Sequence, residues 1–124
     1  MYVIATGSRS MNDDEFIAEK LANFMEFKNP DETIFINFMC RGVTNSAVKW
    51  ARKAGLQILD MPADWVAEPK DAARIRNHEA AKLADELFVV QFEGERETKA
   101  LIEDMKRQHK NTWVGNVPKG GNHA

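Results

Sequence analysis

Short apolar runs at residues 1–6, 33–39, 56–61 and 87–92 alternate with stretches of helical periodicity, and this alternation constrains the fold more than any other feature. Each run is too short for a core helix and rich in β-branched and aromatic side chains, the pattern of a strand buried on both faces. After the first run, Ile17, Leu21, Phe24 and Met25 recur at helical spacing to about residue 27. Asn12 and Glu15 read as the capping box of this helix, with Asp13 and Asp14 in its favourable first turn. After the second run, Val48, Ala51 and Ala54 mark a buried helix face; Thr44 or Asn45 suits its N-cap and Gly55 its C-terminal stop. A third helix is expected over residues 71–84, a fourth over residues 95–110 and a short last strand at residues 112–114.

Strands joined through helices by short connections run parallel, so the expected fold is α/β: a three-layer sandwich with a mostly parallel five-stranded sheet and helices on both faces. The 124 residues contain no internal repeat or linker and are expected to form one domain over residues 1–117, with a flexible tail at 118–124. Hydrophobic residues make up 44% and charged residues 29%, enough for an ordinary globular core. Seventeen Lys and Arg against nineteen Asp and Glu give a net charge of −2; without a broad basic surface, sequence-specific DNA binding is not expected. No apolar stretch approaches the ~18 residues of a membrane span, and no charged leader precedes the first strand, so no membrane partner is expected. Cys40 is the single cysteine, which excludes an intrachain disulfide and a cysteine-built zinc site and suits a reducing cytoplasm, the expected location. His78, His109 and His123 lack zinc-ligand spacing, so neither a metal nor a cofactor is expected.

In a parallel sheet, ligands bind beyond the carboxyl ends of the strands. The loops at residues 7–10 and 41–45 combine Gly7, Ser8, Gly42, Thr44 and Asn45 just before helices, which lets backbone N–H groups face a phosphate or carboxylate. The same residues also serve as ordinary turns and caps, and neither loop matches Gly-x-Gly-x-x-Gly or a Walker lysine loop. The third loop and the helix after it bring Asp64, Trp65, Lys70, Arg74, Arg76 and Asn77 onto one short segment. Trp65 suits stacking on a base, Asp64 accepting from a ribose hydroxyl or base amine, and Arg76 pairing with phosphate. The plainer roles are a tryptophan covering the sheet edge and arginines on a solvated helix face. Cys40 reads as a small buried residue rather than a nucleophile, because no histidine is placed as its base. Glu93, Glu95 and Glu97 read as a solvated loop and first helical turn.

The order of these motifs resembles the SLOG superfamily, in particular its small YspA-like, YpsA-related branch, over residues 3–114. Gly7-Ser8-Arg9 corresponds to the opening Gly-[Ser/Gly]-Arg, and Arg41-Gly42-Val43-Thr44, with Ala47 and Trp50-Ala51, to the Arg-Gly-Ala-Asp segment and its helix. The most specific match is Pro62-Ala63-Asp64-Trp65 with Lys70, Ala72 and Arg76-Asn77. The resemblance implies a Rossmann-like domain that binds nucleotide-derived ligands, as sensor or enzyme. Relatives similar to the LOG enzymes cleave the N-glycosidic bond of nucleoside monophosphates with a Pro-Gly-Gly-x-Gly-Thr loop and a glutamate three residues after the threonine. Here that run is Glu93-Gly94-Glu95-Arg96-Glu97-Thr98, and Leu101 stands at the glutamate position. Two cradle glycines have become carboxylates, which repel phosphate and block close backbone approach. Thr44 replaces an aspartate, and Ala73-Arg74 a Gly-Pro pair.

The expectation that follows is a domain binding a nucleotide-derived small molecule, as a sensing or sequestering module of phage-accessory type. Gly7, Ser8, Gly42 and Asn45 would give backbone or short polar contacts and Arg9, Arg41 and Arg76 would take anionic groups. Trp65 would stack, with Thr44, Asp64, Lys70, Asn77, Gly94 and Thr98 completing the set. One alternative is LOG-type hydrolysis with Asp64 or a nearby glutamate as acid/base; another is a degenerate pocket serving a protein interaction or counter-defence role. Related domains are often dimers, so a homodimer is an expectation as well. The small net charge also conceals an asymmetry: residues 41–77 hold seven basic and four acidic groups, and residues 93–104 two basic and five acidic.

Overall fold

A computed structural model describes residues 1–118 of the chain. In chain order the elements are β1 (Tyr2–Gly7), α1 (Asp14–Met25), a short 3-10 turn (Pro30–Glu32), β2 (Ile34–Asn37), α2 (Val43–Lys53), β3 (Gln57–Asp60), α3 (Ala72–Leu83), β4 (Glu86–Phe92), α4 (Lys99–Arg107) and β5 (Asn111–Val117). The five strands form one sheet in the order β3-β2-β1-β4-β5, and every neighbouring pair is parallel. The sheet is therefore fully parallel rather than mostly so. The order reverses at β1, whose neighbours are β2 on one side and β4 on the other, so the switch-point crevice lies beyond the ends of β1 and β4.

Strand alternation divides the core into two layers. Val3, Ala5, Phe35, Phe88 and Val90 pack under α1 and α2 with Ile17, Leu21, Val43 and Ala47. Ile4, Ile36, Leu87 and Val89 face α3 and α4 with Ala80, Ala81, Leu101 and Met105. Register supports both layers: Ile4 aligns with Ile36 and Leu87, and Ala5 with Phe88. Phe88 is fully buried, edge-on to Phe24 at 5.4 Å and stacked on Trp113 at 5.0 Å.

The sequence reading needs correction at several element ends. Asp13, not Asn12, caps α1, accepting from the Phe16 amide at 3.0 Å. Gly42 is the N-cap of α2, with φ +81° and no side-chain cap, so Thr44 and Asn45 fall inside the first turn. Ala54 is exposed and ends α2; Gly55 follows at φ +78°, as its C-terminal stop requires. The fourth helix starts at Lys99, because Gly94 at φ +84° and the Glu95 amide bonded to the Phe92 carbonyl turn the chain first. Strand β5 is longer than expected: its polar, half-buried edge sequence pairs with β4 as far as Phe92. Residues 119–124, most of the expected flexible tail, lie outside the described residues. No helix among the described residues is long and apolar enough to cross a membrane.

Candidate functional site

At the switch point lies a cavity of about 340 Å³. The end of β1 contributes Thr6, Gly7 and Arg9; the turn after β2 gives Phe38 and Cys40. Helix α3 gives Ala73, Arg76 and Asn77, and the approach to α4 gives Glu97, Thr98 and Leu101. Of the residues expected to bind ligand, the structure brings Gly7, Arg9, Arg76, Asn77 and Thr98 together here.

Arg76 is the centre of this arrangement and is only 8% exposed. Its Nη1 donates to the carbonyls of Phe38 at 2.8 Å and Met61 at 3.3 Å, and its Nε donates to Asn77 Oδ1 at 2.8 Å. The guanidinium also lies over the Phe38 ring, 3.9 Å from its centroid. Among the described residues no carboxylate oxygen lies within 4.0 Å of it. Burial therefore lowers its pKa; the Cys40 sulfur opposes that shift and the Arg9 charge adds to it. A buried cation held by neutral acceptors, with a second guanidinium nearby, is a pre-formed place for an anion.

The two glycine loops serve this geometry from behind. A Cβ on Gly7 would stand 1.8 Å from the Val90 carbonyl oxygen, and one on Gly42 2.2 Å from that of Ser8, so both glycines permit close backbone contact. Ser8 is buried and engaged throughout: its N–H donates to Val90, its carbonyl accepts from Met11 and Val43, and its hydroxyl donates to Glu95 Oε1 at 3.0 Å. Thr44 is equally internal, accepting from the Cys40 thiol at 3.3 Å and donating to Thr6 Oγ1 at 3.0 Å. Ser8, Gly42 and Thr44 thus shape the cavity wall without lining it.

The remaining candidates are placed elsewhere. Arg41, Asn45, Lys70 and Gly94 are exposed and do not line the cavity. Trp65 is 53% exposed and also outside it. Asp64 accepts from the Ala67 amide at 3.0 Å and lines a smaller neighbouring cavity of about 220 Å³, which Arg76 also borders. Thr6 and Phe38 were not among the residues expected here; Ala73 and Leu101 were expected only as departures from the family motif, Cys40 as a small buried residue, and Glu97 as a first-turn carboxylate or, in the hydrolase alternative, one of the possible acid/base glutamates. Thr6 lies near the end of β1, beside the switch point, and Phe38 just past the end of its neighbour β2, a signal available once strand order is known.

The chain is therefore a fully parallel, Rossmann-like α/β domain with an arginine-lined cavity at its switch point. The sequence profile of the YspA, cpYpsA-related SLOG family (YAcAr) matches residues 1–67, more than half of the chain, and the protein belongs to that family. Membership points to a nucleotide-related function. No curated protein and no solved structure matches the chain.

Proposed function

We propose that the protein binds an anionic, nucleotide-derived small molecule in the switch-point cavity. The observation that carries this reading is Arg76: a buried guanidinium at the cavity, beside Arg9, with no carboxylate within 4.0 Å among the described residues. Desolvating an unpaired charge is costly, and an anionic ligand would offset that cost by pairing with it. Asn77 and Thr6 also line the cavity and add polar side chains to it. Binding is favoured over N-glycosidic cleavage because Leu101, at the position of the LOG-type glutamate, is 2% exposed and packs in the α3–α4 core layer. Isothermal titration calorimetry with mono-, di-, cyclic and ADP-ribose-type nucleotides tests the reading. At least one should bind the wild type and lose binding in Arg76→Met; no heat with any of them overturns it.

A further inference from the structure

Resting on that reading, we infer that Glu97 is a specificity-determining residue: it admits a ligand with one anionic group at the arginine end and hydroxyl or amine donors beyond it, and rejects a second anionic group there. Three carboxylates precede α4, and the structure separates their roles. Glu93 is exposed and outside the cavity, and Glu95 is bonded to the Ser8 hydroxyl at 3.0 Å. Glu97 alone of the three lines the cavity, and among the described residues its carboxylate has neither a hydrogen-bond partner nor a cation within 4.0 Å.

Its place fixes which part of a ligand it would meet. The cavity continues into a groove of about 610 Å³ between α3 and α4, and Ala73, Asn77, Glu97 and Leu101 line both. Glu97 therefore stands where the cavity opens into the groove, along the course of a ligand whose anion sits at Arg9 and Arg76. Next to it, Thr98 is buried and donates its hydroxyl to Gln91, which in turn bonds Asn116, so the segment is anchored to the sheet. An ionised carboxylate only accepts hydrogen bonds, so it rewards hydroxyls or amines. It repels a second phosphate placed beside it.

Calorimetry on the full chain tests this with each ribonucleoside 5′-monophosphate, its 2′,3′-dideoxy counterpart and its 3′,5′-bisphosphate. The wild type should bind the monophosphate at least about tenfold more tightly than either analogue, as expected for hydrogen bonds to a charged acceptor. Glu97→Gln, at an exposed position, should fold normally and lose the discrimination against the bisphosphate; Glu97→Ala should lose the preference for the sugar hydroxyls too. Equal wild-type affinity for the three ligands, or unchanged discrimination in both variants, overturns the inference. If binding depends on Arg76 but is indifferent to Glu97, the anion site stands and the selector role falls. If nothing binds, both fall.

Discussion

The Arg76 guanidinium lies over the Phe38 ring at 3.9 Å and donates to the carbonyl of the same residue at 2.8 Å, so one side chain fixes the turn after β2 to α3. Burial without a carboxylate makes Arg76 costly to the fold, while its two carbonyl acceptors make it costly to remove. Stability and binding are thereby coupled at a single position.

Arg76→Lys separates these effects. Lysine keeps the charge but cannot span the Phe38 and Met61 carbonyls and Asn77 Oδ1 with a fixed planar fork. Urea unfolding should show a loss of about 1–3 kcal/mol, the cost of leaving buried acceptors unpaired. Nucleotide affinity should fall by more than about tenfold, because the anion-facing geometry is lost. A variant that keeps wild-type affinity would show that the charge suffices for binding and that the guanidinium fork serves the fold.

Gly42 and Gly94 offer a paired test of close approach against backbone strain. Both have positive φ, +81° and +84°, but a Cβ on Gly42 meets Ser8 and Arg9 backbone atoms within 2.7 Å, whereas one on Gly94 meets nothing within 4 Å. Gly94→Ala should cost about 1 kcal/mol, the strain of the left-handed region. Gly42→Ala must also displace the loop that carries Arg9, so it should cost at least about 2–4 kcal/mol and weaken ligand binding. Thermal unfolding of both variants measures the difference.

The layers of this fold were legible because Ile4, Ile36, Leu87 and Val89 sit in unbroken apolar runs, which a strand buried on both faces demands. Arg9 and Arg76 were legible as candidate cavity residues from residue type and from their places in the loop after β1 and in the helix after the third loop. What could not be read was direction. The hydroxyls of Ser8 and Thr44 look like ligand contacts in a sequence, yet the approach of Gly42 to Ser8 turns both into internal supports. Glu97 looked like part of a first helical turn because acidic residues favour that position. The turn at Gly94 delays α4 to Lys99 and leaves Glu97 on the cavity rim.

Trp65 supplies a direct check on which motif residues touch the ligand. Trp50 stacks on Phe35 and Trp113 on Phe88, whereas Trp65 is 53% exposed and outside the cavity. Trp65→Phe should therefore leave the melting temperature within about 2 °C of wild type, as for surface substitutions generally. It should remove most of the iodide-quenchable fluorescence and change nucleotide affinity less than twofold. A larger affinity loss would mean that the loop at residues 62–70 folds over the bound ligand.

The contact between α1 and α2 predicts the acid limb of stability. Asp14 accepts from the Ser46 hydroxyl and from Lys49 Nζ at 3.1 Å, and these contacts, the Ser46 bond first, hold its pKa below the ordinary 3.8. A depressed folded-state pKa means the unfolded chain takes up the proton first, so the contribution is present above pH 3.8 and is lost as pH falls through the folded value. The pair is half exposed, so the contribution is at most about 1 kcal/mol. Asp14→Asn should unfold more easily than wild type at pH 7, with the two stabilities converging below about pH 4. Paired urea titrations from pH 7 to pH 3 measure the convergence, and a constant gap across that range would remove Asp14 from the acid response.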